Sequence, residues 1–291
     1  MEALLQFIIS GIFLGAVYAL ICLGIVVIYK ATHVFNFSQG YIVMLGVLLS
    51  FICINRFPVL IAIPLALVVA VIVGLLLNRL ALRPLTGQPF LSALLMTLAI
   101  AYALQGLAIV FWGPKVRPYP QWFPVEILDL GIINISSPVL WGILATAAIF
   151  VAVGLFYQRS KMGKAMRATA EDHQVAQSLG IKVDRVFTLS WVLAAVLAFI
   201  GALFFGVQAG AFHGLSQWGW KAIPACFVGG LDSLKGAIVG GLLVGTLEAM
   251  ATGYSIGGGI VPGGIVPFVI LLLVLIIRPY GIFGEVRIER V

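Results

Sequence analysis

The residues whose types and spacing could support chemistry are few in this sequence, and most of them fail a first test. The segment from Gly229 to Gly236, GGLDSLKG, has the outline of a phosphate-binding loop. No glycine directly precedes Lys235 and no Ser or Thr follows it, so the groups that hold phosphate and magnesium are missing. His33, His173 and His213 are far apart, and none has a second histidine or a carboxylate at helical ligand spacing, so no metal site is expected. Cys22, Cys53 and Cys226 lie inside apolar runs without a CxxC neighbour and read as small packing residues. With no nucleophile, metal cluster or paired carboxylates at useful spacing, the sequence argues against an enzyme and against a cofactor held by this chain.

Polar groups set into apolar surroundings carry more information. Asn36-Phe37-Ser38-Gln39-Gly40 opens one short apolar stretch and Gly230-Leu231-Asp232-Ser233 opens another, and both offer side chains able to cap a helix N-terminus. Behind them Gly40-Tyr41-Ile42-Val43 and Gly236-Ala237-Ile238-Val239 echo each other, a trace of duplicated halves. Short, glycine-interrupted segments in corresponding halves of a transporter point to its substrate path, because a broken helix offers backbone donors and a positive dipole end to an anionic group. Asn36, Ser38, Gln39 and Gly40 are therefore expected to line or gate a pathway; the plainer alternative is that they cap a helix at the cytoplasmic face. Glu248 is the clear carboxylate within an apolar run. It stands late in a helix that would end near the outer face, where snorkelling or a structural bond explains it as well as a proton relay does. Energy for uphill transport is accordingly expected from outside this chain.

The elements that must position these residues are membrane helices. The 291 residues are 62% hydrophobic and 9% charged, whereas a soluble domain carries roughly 25% charged residues. No polar stretch is long enough to fold separately, so residues 1–291 read as a single transmembrane domain. Charge-free runs at 3–29, 57–78, 84–114, 130–158, 186–220 and 249–277 are each long enough to span a bilayer. Shorter apolar pieces at 40–55 and 236–251 bring the expectation to an all-α, polytopic bundle of about eight transmembrane segments, some short or broken. Glu2 is the only charge at the amino end and the first run exceeds a signal-peptide core, so it is expected to remain as a span.

Alternating the sides of the membrane collects Lys30, Arg79, Arg83, the basic residues from Arg159 to Arg185, Arg278, Arg287 and Arg290 on one face. Arg56, Lys115, Arg117 and Lys221 fall on the other. The positive-inside rule makes the first face cytoplasmic, with the N-terminus outside and the C-terminus inside, and explains the net charge of +7 without nucleic acid. The stretch from Gly113 to Ser137 becomes the largest external loop, and Trp112, Tyr119, Trp122 and Trp141 suit an interfacial aromatic belt. GxxxG spacings at Gly11/Gly15, Gly206/Gly210, Gly236/Gly240 and Gly241/Gly245 predict close helix contacts in lipid.

The cytoplasmic connector at about 159–185 is more than a link. Residues 163–183 read as a short amphipathic helix: Ala165, Met166, Ala168, Ala176 and Leu179 recur near helical spacing, Glu171, Asp172, Gln174 and Gln177 stay polar, and Gly180 supplies a stop. With GAVYALICLGIVVIYKATHVFNFSQGYIVMLG near the start, RPLTGQPFLSALLMTLAIAYALQG, AEDHQVAQSLGI, GGLDSLKGAIVGGLLVG and RPYGIFG near the end, the chain resembles the permeases of the high-affinity branched-chain amino acid importers among the ATP-binding-cassette transporters. The resemblance covers nearly the whole chain.

The resemblance implies a bacterial inner-membrane permease that forms the translocation path with a second, related permease. It implies two cytoplasmic ATPase subunits, which use the ATP, and an extracytoplasmic binding protein that selects the substrate. It assigns ATPase coupling to Ala168, Glu171, Asp172, Ala176, Leu179 and Gly180. Branched-chain or other small amino acids are the implied cargo, with urea, short amides or sugars handled by relatives; an ion-coupled secondary carrier is the rival class. Two positions depart from the family pattern. Asp232 stands where glycine is usual and Lys235 where proline is common, so the depth of that turn is open, and an Asp232–Lys235 pair is expected to ease any burial.

Overall fold

The computed structural model describes residues 2–85, 88–129, 134–256 and 263–284. Helices dominate it. In chain order they are α1 (Glu2–Thr32), α2 (Gln39–Arg56), α3 (Val59–Leu76), α4 (Phe90–Trp112), α5 (Ser137–Arg159), α6 (Lys161–Glu171), α7 (His173–Ser178), α8 (Val183–Ala209), α9 (Ser216–Gly229), α10 (Leu234–Ile256) and α11 (Val266–Ile277). A π-helical turn, Leu77–Leu82, prolongs α3, and a small antiparallel hairpin of β1 (Ile127–Asp129) and β2 (Asn134–Ser136) precedes α5. Among the described residues seven helices are long and apolar enough to cross a membrane, and α11 is a shorter apolar helix of 12 residues.

α1 is apolar around its whole circumference, and a helix with no polar face belongs in the interior. Every residue from Gly15 to Ile28 is buried. α10 packs along it antiparallel through small residues: a Cβ on Gly11 would lie 2.8 Å from the Thr246 Cα, one on Gly15 2.7 Å from the Leu242 Cα, and one on Gly241 2.5 Å from the Ala19 Cα. Without side chains in the way the two backbones approach and gain van der Waals contact along their length, the driving force available in lipid. α2 and α8 fill the remaining inner positions, while α3, α4, α5 and α11 form the rim, with Val68, Tyr102, Val151 and Ile276 among their outward-facing apolar residues.

Several sequence expectations change. The run 186–220 is two helices, because Gly210 takes φ +80° and ends α8 before α9 begins. The short piece at 236–251 is part of a full 23-residue α10, which continues through Glu248; of the run 249–277, residues 257–262 lie outside the described residues. Arg287 and Arg290 lie outside them too. Gly206 and Gly210 do not seat a helix: Gly206 receives the Tyr119 ring, and Gly210 lies beside the Arg117 carbonyl. Tyr119 is therefore buried, its hydroxyl 2.7 Å from that of Ser50, and the Trp122 indole donates to the Leu203 carbonyl. The segment carrying Tyr119 and Trp122 thus folds inward over α8, and of the expected aromatic belt Trp141 stands clearly exposed.

The turn before α10 is shallow. Lys30, two residues before the end of α1, donates to the Asp232 main-chain carbonyl at 2.7 Å, and among the described residues no Asp232–Lys235 ion pair forms. Ser233 caps α10 by accepting from the Gly236 N–H. The last described segment closes the same end, with Ile282 and Phe283 donating to the Val228 and Gly229 carbonyls.

Candidate functional site

The NFSQG residues meet inside the bundle. Asn36, Ser38, Gln39 and Gly40 are all buried. The Asn36 Oδ1 accepts from the Ser38 backbone N–H at 3.0 Å and from its hydroxyl at 2.6 Å, an Asx-type turn that leads the chain into α2. The Asn36 amide donates to Gln39 Oε1 at 3.1 Å, and Gln39 Nε2 donates to the Ala194 carbonyl of α8 at 3.0 Å. Gln39 also lies against Gly24, where a Cβ would strike its amide. Gly24 is eight residues before Thr32, about 12 Å along the helix axis, so α2 starts well inside the membrane body. The plainer expectation, a cap at the cytoplasmic face, does not describe this placement.

What α2 meets there was not legible in the sequence. Gly40 touches Gly219 of α9 backbone to backbone, with no space for a Cβ on either. From this crossing α9 runs to Gly229, level with Lys30, while α2 runs the other way towards Ser50 and the outer loop. The two helices thus begin against each other inside the bundle and diverge, with the positive ends of both dipoles at the crossing. α2 meets α9 here, and the segment opened by Asp232 and Ser233 follows the far end of α9. Polar side chains surround the crossing: Ser216 donates to Gln105 at 2.9 Å, Trp220 donates to the Tyr41 hydroxyl at 2.9 Å, and Thr97 donates to the Leu94 carbonyl.

Glu248 sits one layer away, deeper than expected. Its carboxylate accepts from the Tyr18 hydroxyl at 2.6 Å and pairs with Lys221 at 2.7 Å. Tyr18 occupies the middle of the 31-residue α1, so the acid lies near the bundle's mid-plane and not at its outer edge. Its side chain is 4% exposed and that of Lys221 31%. Charged side chains at such depth need a partner, and this pair ties α1, α9 and α10 together. Lys221 was expected at the outer face; its partner on α10 draws it inward. The sequence shows a single carboxylate in an apolar run, but the lysine that neutralises it and the tyrosine that donates to it come from other segments.

The connector between α5 and α8 is two helices, not one. Asp172 breaks them because its side chain does better as a cap than in a helix interior: it accepts from the Gln174 and Val175 N–H groups at 2.7 and 3.0 Å. Those two donors hold its carboxyl below the usual carboxylate range. Ser160 caps α6 in the same way, and Arg167 anchors it by donating to the Tyr157 carbonyl. Gly180, at φ +82°, ends α7 as expected. Of the residues assigned to coupling, Glu171, Asp172, Leu179 and Gly180 are exposed, Ala168 is half-buried, and Ala176 is turned inward and buried. Val175 and Leu179 present apolar surface, at 56% and 74% exposure.

A polytopic helical membrane protein with a polar crossing of partial helices and a structured connector belongs to the class of membrane transporters. The particular family follows from comparison. The model of the family described as "Branched-chain amino acid transport system / permease component" matches residues 7–277, and the chain belongs to that family. The chain is 31% identical over 309 residues to the high-affinity branched-chain amino acid transport system permease protein LivH of Salmonella typhimurium, covering 99% of this chain and 97% of that one. It is 32% identical over 303 residues to the corresponding permease BraD of Pseudomonas aeruginosa, covering 99% and 98%. A probable branched-chain amino acid permease LivH of Methanocaldococcus jannaschii is 28% identical over 288 residues, covering 91% and 88%.

Proposed function

We propose that this chain is one of two permease subunits of an importer for branched-chain amino acids in the bacterial inner membrane, driven by two cytoplasmic ATPase subunits and fed by an extracytoplasmic binding protein. The carrying observation is the α6–α7 connector: a capped, amphipathic helix pair between two spans, anchored on one side and presenting Val175 and Leu179 on the other. A polar loop would serve to join spans; a rigid pair with exposed apolar residues fits a surface that another subunit grips. Its basic surroundings, Arg159, Lys161, Lys164, Lys182 and Arg185, favour the cytoplasmic side for it and for the C-terminus.

In this reading the Gly40–Gly219 crossing is the gate. Asn36, Ser38 and Gln39 hold it shut by bonding to each other and to α8, and parting α2 from α9 would turn those groups and two positive helix ends towards a substrate carboxylate. The full importer, reconstituted with its ATPases and binding protein in liposomes, is expected to accumulate leucine with ATP on the cytoplasmic side and not with a proton or sodium gradient alone. Accumulation on a gradient without ATP would sink the reading. The Asn36→Ala/Ser38→Ala variant is expected to transport several-fold more slowly at equal assembly, and normal transport would remove the gate assignment.

A further inference from the structure

A cavity of about 350 Å³ opens at the cytoplasmic end of the bundle, and neither the coupling helices nor the α2–α9 crossing accounts for it. Its depth order follows from exposure. Arg83 and Asp184 stand at the mouth, their side chains 60% and 59% exposed, while Asn78 and Trp191 form a floor that is 6% and 2% exposed. Between mouth and floor the wall is mainly apolar, with Leu82, Val34 and Phe187. A chamber whose wall carries an apolar stretch, beside Thr32, His33, Gln88 and His173, and whose entrance holds two opposite charges suits a zwitterion with an aliphatic side chain.

The charges are available to a ligand. Arg83 and Asp184 meet at 3.5 Å with both side chains more than half exposed, and an exposed pair at that distance is weakly held. Exchanging each partner for a ligand's carboxylate and ammonium therefore costs little. The floor is already settled, since the Asn78 amide donates to the Thr188 hydroxyl at 2.8 Å, so a ligand would be oriented by the mouth and filled in by the apolar wall.

The position of the cavity gives it a consequence. His173, the first residue of α7, and His33, which takes φ 55° where α1 gives way to the segment carrying Asn36, share one wall with their rings stacked at 5.5 Å. The cavity thus spans the connector on one side and the approach to the Gly40–Gly219 crossing on the other. A molecule filling it would tie the two together and oppose any movement between them.

We infer that this cavity is a product site: a free branched-chain amino acid on the cytoplasmic side enters between Arg83 and Asp184, lodges its side chain against Leu82 and Phe187, and restrains the connector so that import slows. The inference rests on the importer reading above. The test uses the whole importer in proteoliposomes loaded with leucine, or with leucinol or isovalerate, which each lack one charge. Loaded leucine is expected to lower the initial rate of ATP-driven uptake by about fivefold or more, leucinol and isovalerate to leave it unchanged, and Arg83→Gln/Asp184→Asn to keep the empty-vesicle rate while abolishing the inhibition. Equal uptake by loaded and empty vesicles, or inhibition that persists in the double variant, overturns the product site. Absence of ATP-driven uptake even into empty vesicles would instead overturn the importer reading itself.

Discussion

At the scale of single residues, Glu248 decides most about how this molecule can behave. A carboxylate at mid-depth is stable there because Lys221 and Tyr18 converge on it, and the three come from α9, α1 and α10. Deleting one member of a buried ion pair leaves the other charge uncompensated, a loss of about 3–5 kcal/mol, whereas replacing both by apolar groups of similar volume is close to neutral. Because Lys221 is a third exposed, the loss for Glu248→Ala, which strands the better-hydrated partner, is expected at or below the low end of that range. Lys221→Ala strands the buried carboxylate and is expected to be worse. Thermal unfolding of the purified protein in detergent is expected to rank wild type and Lys221→Met/Glu248→Met together, Glu248→Ala below them and Lys221→Ala lowest. A double variant no more stable than Lys221→Ala would mean that the two groups do not compensate each other.

At the scale of elements, glycine does in this fold what apolar side chains do in a soluble core, but where it does so is a matter of partners. The spacing of Gly11, Gly15, Gly241 and Gly245 announced close helix contacts, and the seam between α1 and α10 uses all four. Gly206 shares that spacing with Gly210 and yet accommodates an aromatic ring from a loop. Gly106 lies in an equally apolar helix with nothing within 4 Å of its Cβ position. Periodicity reports that a helix could come close; it does not report what comes. The same limit explains why the first spans, the two ends of the connector and the polar opening of α2 were readable, while α9 and the bounds of α10 were not. A break at one glycine inside a continuous apolar run leaves hydropathy unchanged, and the structure alone shows that the second piece is a separate helix crossing α2 at Gly40 and Gly219. Gly15→Leu is expected to cost upwards of about 1–3 kcal/mol through overpacking against backbone, visible as a lower melting temperature or loss of a monodisperse peak. Gly106→Leu, chemically the same change, is expected to be tolerated, and equal effects of the two would contradict the seam.

At the scale of the whole molecule, the parts that would have to move in the proposed importer are joined end to end: α6 and α7 in the connector, the His33–His173 stack beside them, and then the segment that carries Asn36 to the crossing. Force can enter such a chain only through residues a partner can touch, and the exposures sort the six assigned residues accordingly. Ala176 is buried and supports α7 from within, so enlarging it should disturb the helix and not the contact. Leu179 is 74% exposed beside Gly180, a large apolar side chain with little packing in this chain to lose. Leu179→Asp should therefore leave the melting temperature of the isolated protein unchanged, while its affinity for the proposed ATPase subunits falls by about tenfold or more, the range of an interface anchor, and the uptake proposed above falls with it. Affinity measured by surface-immobilised titration separates this from a folding defect, because only a contact residue lowers binding at constant stability. Unaltered ATPase binding by Leu179→Asp would move the grip elsewhere on the connector, to the polar stretch Glu171–Asp172, and would leave Val175 and Leu179 without a partner to explain them.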